Sequence, residues 1–331
     1  MEREFPLKLS IIVPVYNVEE YLERCILSLL EQDLPKSDYE IIVVNDGSTD
    51  NSYEIANKLA QEHDNIVLIS QENKGLSGAR NTGLRYVRGK YLLFVDSDDF
   101  FTPNSIGKLL EIAESDALDL CFFQTVFERS GGIHNYGEGQ KFDNYKVYNG
   151  EYLVLNGMHI SSVWQNLYLS SFLFKTGITF YEGIIHEDID FNYRLYPLAK
   201  KVMFTDLYCY HYCVYRESIL RTKSPEKIKY LLESDFCVVS SILKETKTGY
   251  SKEIQALYRR QCNSIIISNL IRILKEDCFT LGMKRECLTT AKQKGVYPIV
   301  GKTNSRITSF LSYFFNREWL YKMLLAFLSL R

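Results

Sequence analysis

This sequence predicts an α/β fold built on a doubly wound, mostly parallel, Rossmann-like sheet, with a helical region behind it. Three observations carry the prediction. Short apolar runs, suited to strands buried on both faces, recur through the first 130 residues. Amphipathic segments of helical length separate them. Polar clusters follow the runs directly, at the strand ends where ligands gather in such sheets.

The first run, residues 9–15 (Leu-Ser-Ile-Ile-Val-Pro-Val), reads as a buried strand. Asn17 stands after it in the place of a helix N-cap, with Glu20 three residues on as a capping-box partner. The helix expected over residues 18–32 spaces Tyr21, Leu22, Cys25, Ile26, Leu29 and Leu30 along one face, and Pro35 ends it. Residues 39–44 form the second strand and run into Asn45-Asp46-Gly47-Ser48-Thr49-Asp50. A helix over 51–62 and a third strand over 66–70 come next. The stretch from Asn73 to Gly83 then leads into a helix ending near Val87.

The fourth strand, Tyr91-Leu92-Leu93-Phe94-Val95, passes without spacer into Asp96-Ser97-Asp98-Asp99. Thr102-Pro103 caps and starts a helix, with proline at its favoured first position. Residues 119–128 are a further strand, and residues 131–150, rich in Gly, Asn, Tyr and Lys, read as a loop or lid. Aromatic residues crowd 152–219, and from Pro225 the pattern is helical. Three regions follow, 1–130, 131–220 and 221–331.

A net charge of −2 hides an asymmetry: residues 221–331 carry +11 and residues 1–220 carry −13. A basic region behind an acidic body suits an anionic surface. Nucleic acid is not the partner expected, because the basic surplus lies away from the strand-end clusters. The eight cysteines form no CxxC pair, and Met-Glu-Arg-Glu-Phe-Pro at the N-terminus has no signal-like apolar stretch. A cytoplasmic protein with reduced thiols is expected. No window of about 18 uninterrupted apolar residues offers a membrane span.

Carboxylates clustered at the end of a buried strand repel one another and lose hydration, so they call for positive charge among them. A divalent cation held by one or two of them, completed by substrate phosphates, meets that need. The alternative is that these acids are turn residues ahead of the helix near Pro103. If the crevice takes a nucleoside diphosphate, Asp46 can accept from a base N–H or a ribose hydroxyl, Asp96 can bind ribose, and Asp98 can hold the metal. Lys74 and Arg80 add positive charge nearby, unless Arg80 is a surface helix arginine. Attack by a hydroxyl also needs a base within hydrogen-bond reach. Asp188, beside His186 and Glu187, is the candidate, although such a pair at a helix start also serves the helix dipole. His186 reads as a hydrogen-bonded structural histidine.

Together these residues resemble the family-2 glycosyltransferases, inverting enzymes of the GT-A fold, over about residues 8–220. The Ile-Val-Pro-Val-Tyr-Asn run at 12–17 looks like the family's opening strand, and the resemblance implies donor contacts from Pro14, Tyr16 and Asn17. Val44 to Asp50 is similar to the second motif, whose aspartate, matching Asp46, binds the base. Gly75 to Asn81 matches a Gly-x-x-x-Ala-Arg-Asn loop. Asp96-Ser97-Asp98 matches the DxD motif, which implies Asp98 as ligand of Mn2+ or Mg2+ and Asp96 and Ser97 at the donor. Glu187-Asp188 matches the ED motif, which implies Asp188 as base.

On this resemblance residues 1–130 are the nucleotide-sugar-binding half, 131–220 the acceptor half with the base, and 221–331 a helical appendage. A UDP-sugar donor and a surface-glycan or lipid-linked oligosaccharide acceptor are implied. The QxxRW signature of processive synthases is missing, so transfer of one or a few sugars is expected. Tyr210 to Ser218 looks like a Tyr-x-Tyr-Arg stretch, with Arg216 later than the family places it.

The tail, 306–331, is apolar with dispersed basic residues. It reads as an amphipathic element on the inner membrane surface, or as a helix packed on the body or on a dimer partner. Two rival classes share parts of the pattern. A nicotinamide-dependent oxidoreductase would use the same sheet, but Pro14-Val15-Tyr16-Asn17 stands where GxGxxG belongs. A non-catalytic nucleotide- or glycan-binding protein would keep Asp46 and Asp96 and have no need of Asp188.

Overall fold

Each of the first four apolar runs is a strand. The computed structural model describes residues 4–129, 132–136, 141–158, 162–214 and 224–328. In chain order the elements of the first half are β1 (Leu7–Val15), α1 (Leu22–Leu30), β2 (Tyr39–Asn45), α2 (Ser52–Glu62), β3 (Ile66–Ser70), α3 (Gly75–Tyr86), β4 (Gly89–Phe94), β5 (Phe100–Phe101), α4 (Ile106–Ser115) and β6 (Leu120–Arg129). There follow β7 (Gly132–Tyr136), α5 (Gly150–Leu155), β8 (Asn166–Leu169), α6 (Ser170–Thr176), α7 (Glu187–Leu195) and β9 (Val202–Cys213). Five helices close the chain: α8 (Pro225–Glu245), α9 (Lys252–Lys275), α10 (Leu281–Gln293), α11 (Arg306–Phe315) and α12 (Glu318–Leu328).

The chain divides into two compact units, Met1–Gly183 with Leu195–Glu217, and Ile184–Arg194 with Ser218–Arg331. The first holds a sheet of order β3-β2-β1-β4-β8-β6-β9-β5, with β7 paired to β6. Strands β3, β2, β1 and β4 are parallel, as doubly wound connections require. Beyond β4 the sheet is mixed: β8 runs antiparallel to β4 and β6, while β6 and β9 are parallel. One face of β1 (Leu9, Ile11, Val13, Val15) packs in a single apolar cluster with Cys25, Ile26 and Leu29 of α1. Behind the sheet α3 lies so close that a Cβ on Gly83 would sit 2.6 Å from Ile12 Cγ2. Glycine is what lets that helix approach.

Three local expectations are corrected. Asn17 is not an N-cap: it is left-handed (φ 52°), and α1 starts later, at Leu22 after Tyr21. Its side chain is spent across the sheet, where Oδ1 accepts from Thr49 N at 2.8 Å. Pro103 does not start the next helix, which begins at Ile106 behind Ser105. The first amides there are capped from a distance, since Gln32 Oε1 accepts from Ser105 N (3.0 Å) and Ile106 N (3.1 Å). Within 131–150, read as a loop or lid, residues 132–136 form β7. Arg216 falls outside the described residues.

In the second unit α9 packs with α8, α10, α11 and α12. Ser224, Ser251, Thr280 and Ser305 each cap a helix by accepting from the amide three residues on. Such caps contribute about 1 kcal/mol each. No disulfide forms among the eight cysteines, all of which are described residues. Among the described residues no helix is long and apolar enough to cross a membrane.

Candidate active site

The carboxyl ends of β1, β2 and β4 carry most of the residues singled out from sequence. Near the end of β1 the buried Pro14 pairs with Val44 in the sheet; after the strand Tyr16 stands exposed and Asn17 joins the next loop. Asn17 N donates to Ser48 Oγ at 3.2 Å, and Asp46 N donates to Val15 O at 2.8 Å. The loop after β2 turns at Gly47. Its φ is +75°, and an added Cβ would come within 3.0 Å of Asn73 N, so any larger residue would be strained there.

Asp46 is buried, and two donors converge on its Oδ1: Gln71 Nε2 at 2.6 Å and Lys74 N at 2.9 Å. Thr82 Oγ1 of α3 in turn donates to Gln71 Oε1 at 2.6 Å. This chain fixes the carboxylate at the head of α3. The Lys74 side chain is itself exposed.

Two turns further along α3, Arg80 reaches the other carboxylate loop. Its Nη2 pairs with Asp96 Oδ1 at 2.7 Å, and its guanidinium lies 5.3 Å from the Phe180 ring centroid. Arg80 is only 2% exposed, so it is a buried partner of Asp96 and not a surface arginine. Thus α3 ties the Asp46 loop to the Asp96 loop.

The run Asp96-Ser97-Asp98-Asp99 turns sharply, with Asp99 N donating to Asp96 O at 3.0 Å. Ser97 is buried. Arg24 Nη2 of α1 donates to Asp98 O at 3.2 Å, with its guanidinium 4.6 Å from the Phe100 ring centroid. Burial, and then the charge of Asp96, push the Asp98 carboxyl up to about 6. Asp99 is fully buried and is pushed up to about 8 by burial, then by Asp98 and Asp96. It accepts from Tyr210 Oη at 2.6 Å and Cys213 N at 2.8 Å. The Tyr210 oxygen also accepts from Asp96 N at 3.2 Å, so one hydroxyl clamps both ends of the turn.

Asp188 belongs to the second unit, at the start of α7 and half-buried, with Oδ1 accepting from Ile189 N at 2.8 Å. Its approach loop is held from α8 and α9. Ile185 N donates to Ser234 Oγ at 3.2 Å, and His186 Nδ1 lies 3.0 Å from Asp235 Oδ1. Asn269 Nδ2 donates to the other Asp235 oxygen at 2.9 Å. The hydrogen bond and charge of Asp235 raise His186 above its ordinary value.

Among the described residues no three His, Cys, Asp or Glu side chains are disposed to hold a metal by themselves. One carboxylate completed by phosphates is nevertheless how Mg2+ is usually bound at nucleotide sites. Asp98 suits that arrangement as a hard oxygen donor whose environment disfavours its own charge.

Sequence reading included Asp99 in the acidic cluster without a role of its own, and missed Gln71, Thr82, Arg24 and Tyr210 in the first unit and Asp235 and Asn269 in the second. Thr82 and Tyr210 lay inside segments that were singled out. The others had no local signal.

The model of "Glycosyl transferase family 2" matches residues 10–168. Glycosyltransferase GlyG of Streptococcus pneumoniae serotype 4 is 30% identical over 228 residues, which cover 65% of this chain and 73% of GlyG. The chain belongs to glycosyl transferase family 2. Other relatives of this family-2 chain are longer. Glycosyltransferase GlyA of the same organism is 32% identical over 271 residues, covering 79% of this chain and 38% of GlyA. Poly(ribitol-phosphate) beta-glucosyltransferase of Bacillus spizizenii is 34% identical over 215 residues, covering 64% of this chain and 33% of that enzyme. The family-2 chain therefore spans well under two thirds of those two relatives. Among solved structures, S. aureus TarS 1-349 in complex with UDP-GlcNAc superposes with a TM-score of 0.71 at 21% identity, covering 98% of this chain and 90% of TarS 1-349. The fold is the expected GT-A type.

Proposed function

We propose that this family-2 chain is an inverting glycosyltransferase that moves a sugar from a UDP-sugar to a hydroxyl of a surface glycan or its lipid-linked precursor. The observation that carries the proposal is the framework in which α3 joins Asp46 to Asp96, beside Asp98, at the ends of β2 and β4, the parallel strands on either side of β1. UDP-GlcNAc in TarS and the poly(ribitol-phosphate) substrate of the Bacillus relative support the donor and acceptor classes.

In this reading the exposed Tyr16 offers its ring to the base and Asp46 accepts from the uracil N–H. Pro14 and Asn17 shape that end of the crevice, and Asp96 and Ser97 meet the ribose. Lys74 and Arg80 supply positive charge, Arg80 by holding Asp96 in place. Asp98 would hold Mn2+ or Mg2+, which when bound offsets charge growing on the departing diphosphate. Asp188 takes the acceptor proton as the hydroxyl attacks the anomeric carbon. The carbon–phosphate-oxygen bond breaks on the opposite face, so the anomeric configuration inverts. Residues 131–220 supply the acceptor half in this scheme.

The test is a panel of nucleotide-sugars assayed for metal-dependent transfer or hydrolysis, with UDP binding measured in parallel. Asp188→Asn should abolish turnover and leave UDP affinity within about twofold, whereas Asp98→Ala should cost both turnover and metal-dependent UDP affinity. Turnover surviving in Asp188→Asn would remove the base assignment. Equal UDP affinity with and without metal would remove Asp98 as the ligand.

A further inference from the structure

The last two helices turn the wrong faces outward for a helix pair that meets only water. On α11 the exposed stripe is Ile307, Phe310, Tyr313 and Phe314, whereas Ser312 points inward with Phe315. On α12 the exposed stripe is Trp319, Met323 and Phe327, at i, i+4 and i+8, while Tyr321 and Leu325 are buried. The outer residues are far from marginal, with Phe327 59% exposed, Trp319 61% and Ile307 73%. Isolated exposed apolar residues mean little; two adjoining helices each presenting such a stripe mark a contact surface.

The pair is not frayed chain. Tyr321 Oη donates to Leu270 O of α9 at 2.9 Å, and Tyr297 Oη donates to Phe315 O at 2.6 Å. Asn316 is bound both ways to the backbone of Ile299, at 2.8 Å each. The stripes are therefore held outward by the inner faces of their own helices.

Charge decides what covers them. Lys302, Arg306, Arg317 and Lys322 flank the stripes, and from Lys302 to Phe327 the one acid is Glu318. Glu318 is already engaged by Lys292 at 2.5 Å and Lys322 at 2.6 Å. A second copy meeting this surface face to face would bring like charge against like charge, within a region carrying +11. An anionic lipid surface brings the opposite charge, an apolar interior for Phe and Ile, and a headgroup layer for Trp and Tyr. Neither helix is long enough to cross a bilayer.

We propose that α11 and α12 lie on an anionic lipid bilayer, with Phe310, Phe314, Trp319 and Phe327 entering the acyl boundary and Arg306, Arg317 and Lys322 at the headgroups. This mode of binding is independent of the glycosyl-transfer reading, and its test uses no sugar.

The chain has two tryptophans, the exposed Trp319 and Trp164, which is 8% exposed and stacked 4.5 Å from Tyr210. A change in emission on adding lipid therefore reads Trp319. Vesicles containing phosphatidylglycerol should blue-shift its emission, brominated lipid should quench it, and high salt should weaken both. Partition should be roughly fivefold stronger per basic residue engaged than onto phosphatidylcholine alone. Phe310→Ser combined with Phe327→Ser should weaken it about tenfold or more while the thermal transition stays in place, both residues being exposed. Unchanged Trp319 emission on anionic vesicles would overturn the proposal. So would a lipid-independent blue shift that grows with protein concentration alongside dimer in light scattering, which would assign the surface to a second copy.

Discussion

Replacing Tyr210 by Phe removes one oxygen from the point on which the acidic turn depends. That hydroxyl is fully buried, donates to Asp99 at 2.6 Å and accepts from Asp96 N at 3.2 Å. The ring's packing, stacked 4.5 Å from Trp164 and edge-on to Phe101 at 5.4 Å, survives the change. The loss is therefore two hydrogen bonds, one to a buried carboxyl that among the described residues keeps Cys213 N as donor. A lost bond of this kind costs about 1–1.5 kcal/mol, and a buried acceptor left short costs about 1–3 kcal/mol, so the total is about 2–4 kcal/mol. At about 2–4 °C per kcal/mol for a unit of this size, Tm should fall by roughly 4–16 °C in calorimetry. Donor turnover should fall as well, roughly tenfold or more, because Asp96 and Asp98 are no longer held to the turn geometry. A Tm within about 1 °C of the parent would refute the clamp. A lowered Tm with unchanged turnover would leave Tyr210 a purely structural residue.

Gln71→Leu should raise the Kd for UDP about tenfold, measured by calorimetry, since Asp46 then keeps Lys74 N alone at Oδ1 and its orientation loosens. Gly83→Ala should cost about 1–3 kcal/mol in urea unfolding, because the new methyl meets Ile12 inside van der Waals range. The His186–Asp235 pair makes stability depend on pH with a fixed sign. His186 is raised in the folded chain, so its contribution is fully present below the unfolded value of about 6.5 and disappears as pH rises through the higher folded value. The stability gap between the parent and His186→Gln should therefore be widest near pH 5 and close on the alkaline side; a gap that widens with pH would reverse the assignment.

What the sequence made legible is what local pattern can encode. Tyr91–Val95 is apolar throughout, and Leu9–Val15 is apolar apart from Ser10, because both faces of β1 and β4 are covered, and that signal does not depend on any partner's identity. The clusters after them stand at strand ends wherever the strands run, so Asp46 and Asp96 could be placed on one edge of the sheet before any coordinates. Asn17 misled for the same reason. Asparagine before a helical stretch has the pattern of a cap, but the Thr49 amide 32 residues away took its side chain, and α1 began without it. Gln32, 73 residues from the helix it caps, shows the reverse case: a cap with no local motif.

The partners that fix the site lie further off still. Tyr210 is 111 residues from Asp99, and Asp235 is 49 from His186; neither pairing leaves a periodic trace. Both have one physical origin. A buried or strained acidic segment needs donors on every side, and local backbone supplies only some of them. The remainder must come from whatever the fold brings alongside, β9 for the Asp96–Asp99 turn and α8 for the loop ahead of Asp188. His186 makes the point sharply, because its left-handed backbone (φ 67°) is costly for a residue with a side chain and is retained only where surrounding bonds over-determine it. The helices of the second unit thus do more than extend the chain: through Ser234, Asp235 and Asn269 they hold the loop that carries the proposed base. Removing α8 and α9 should therefore cost activity even in a chain whose first unit still binds UDP.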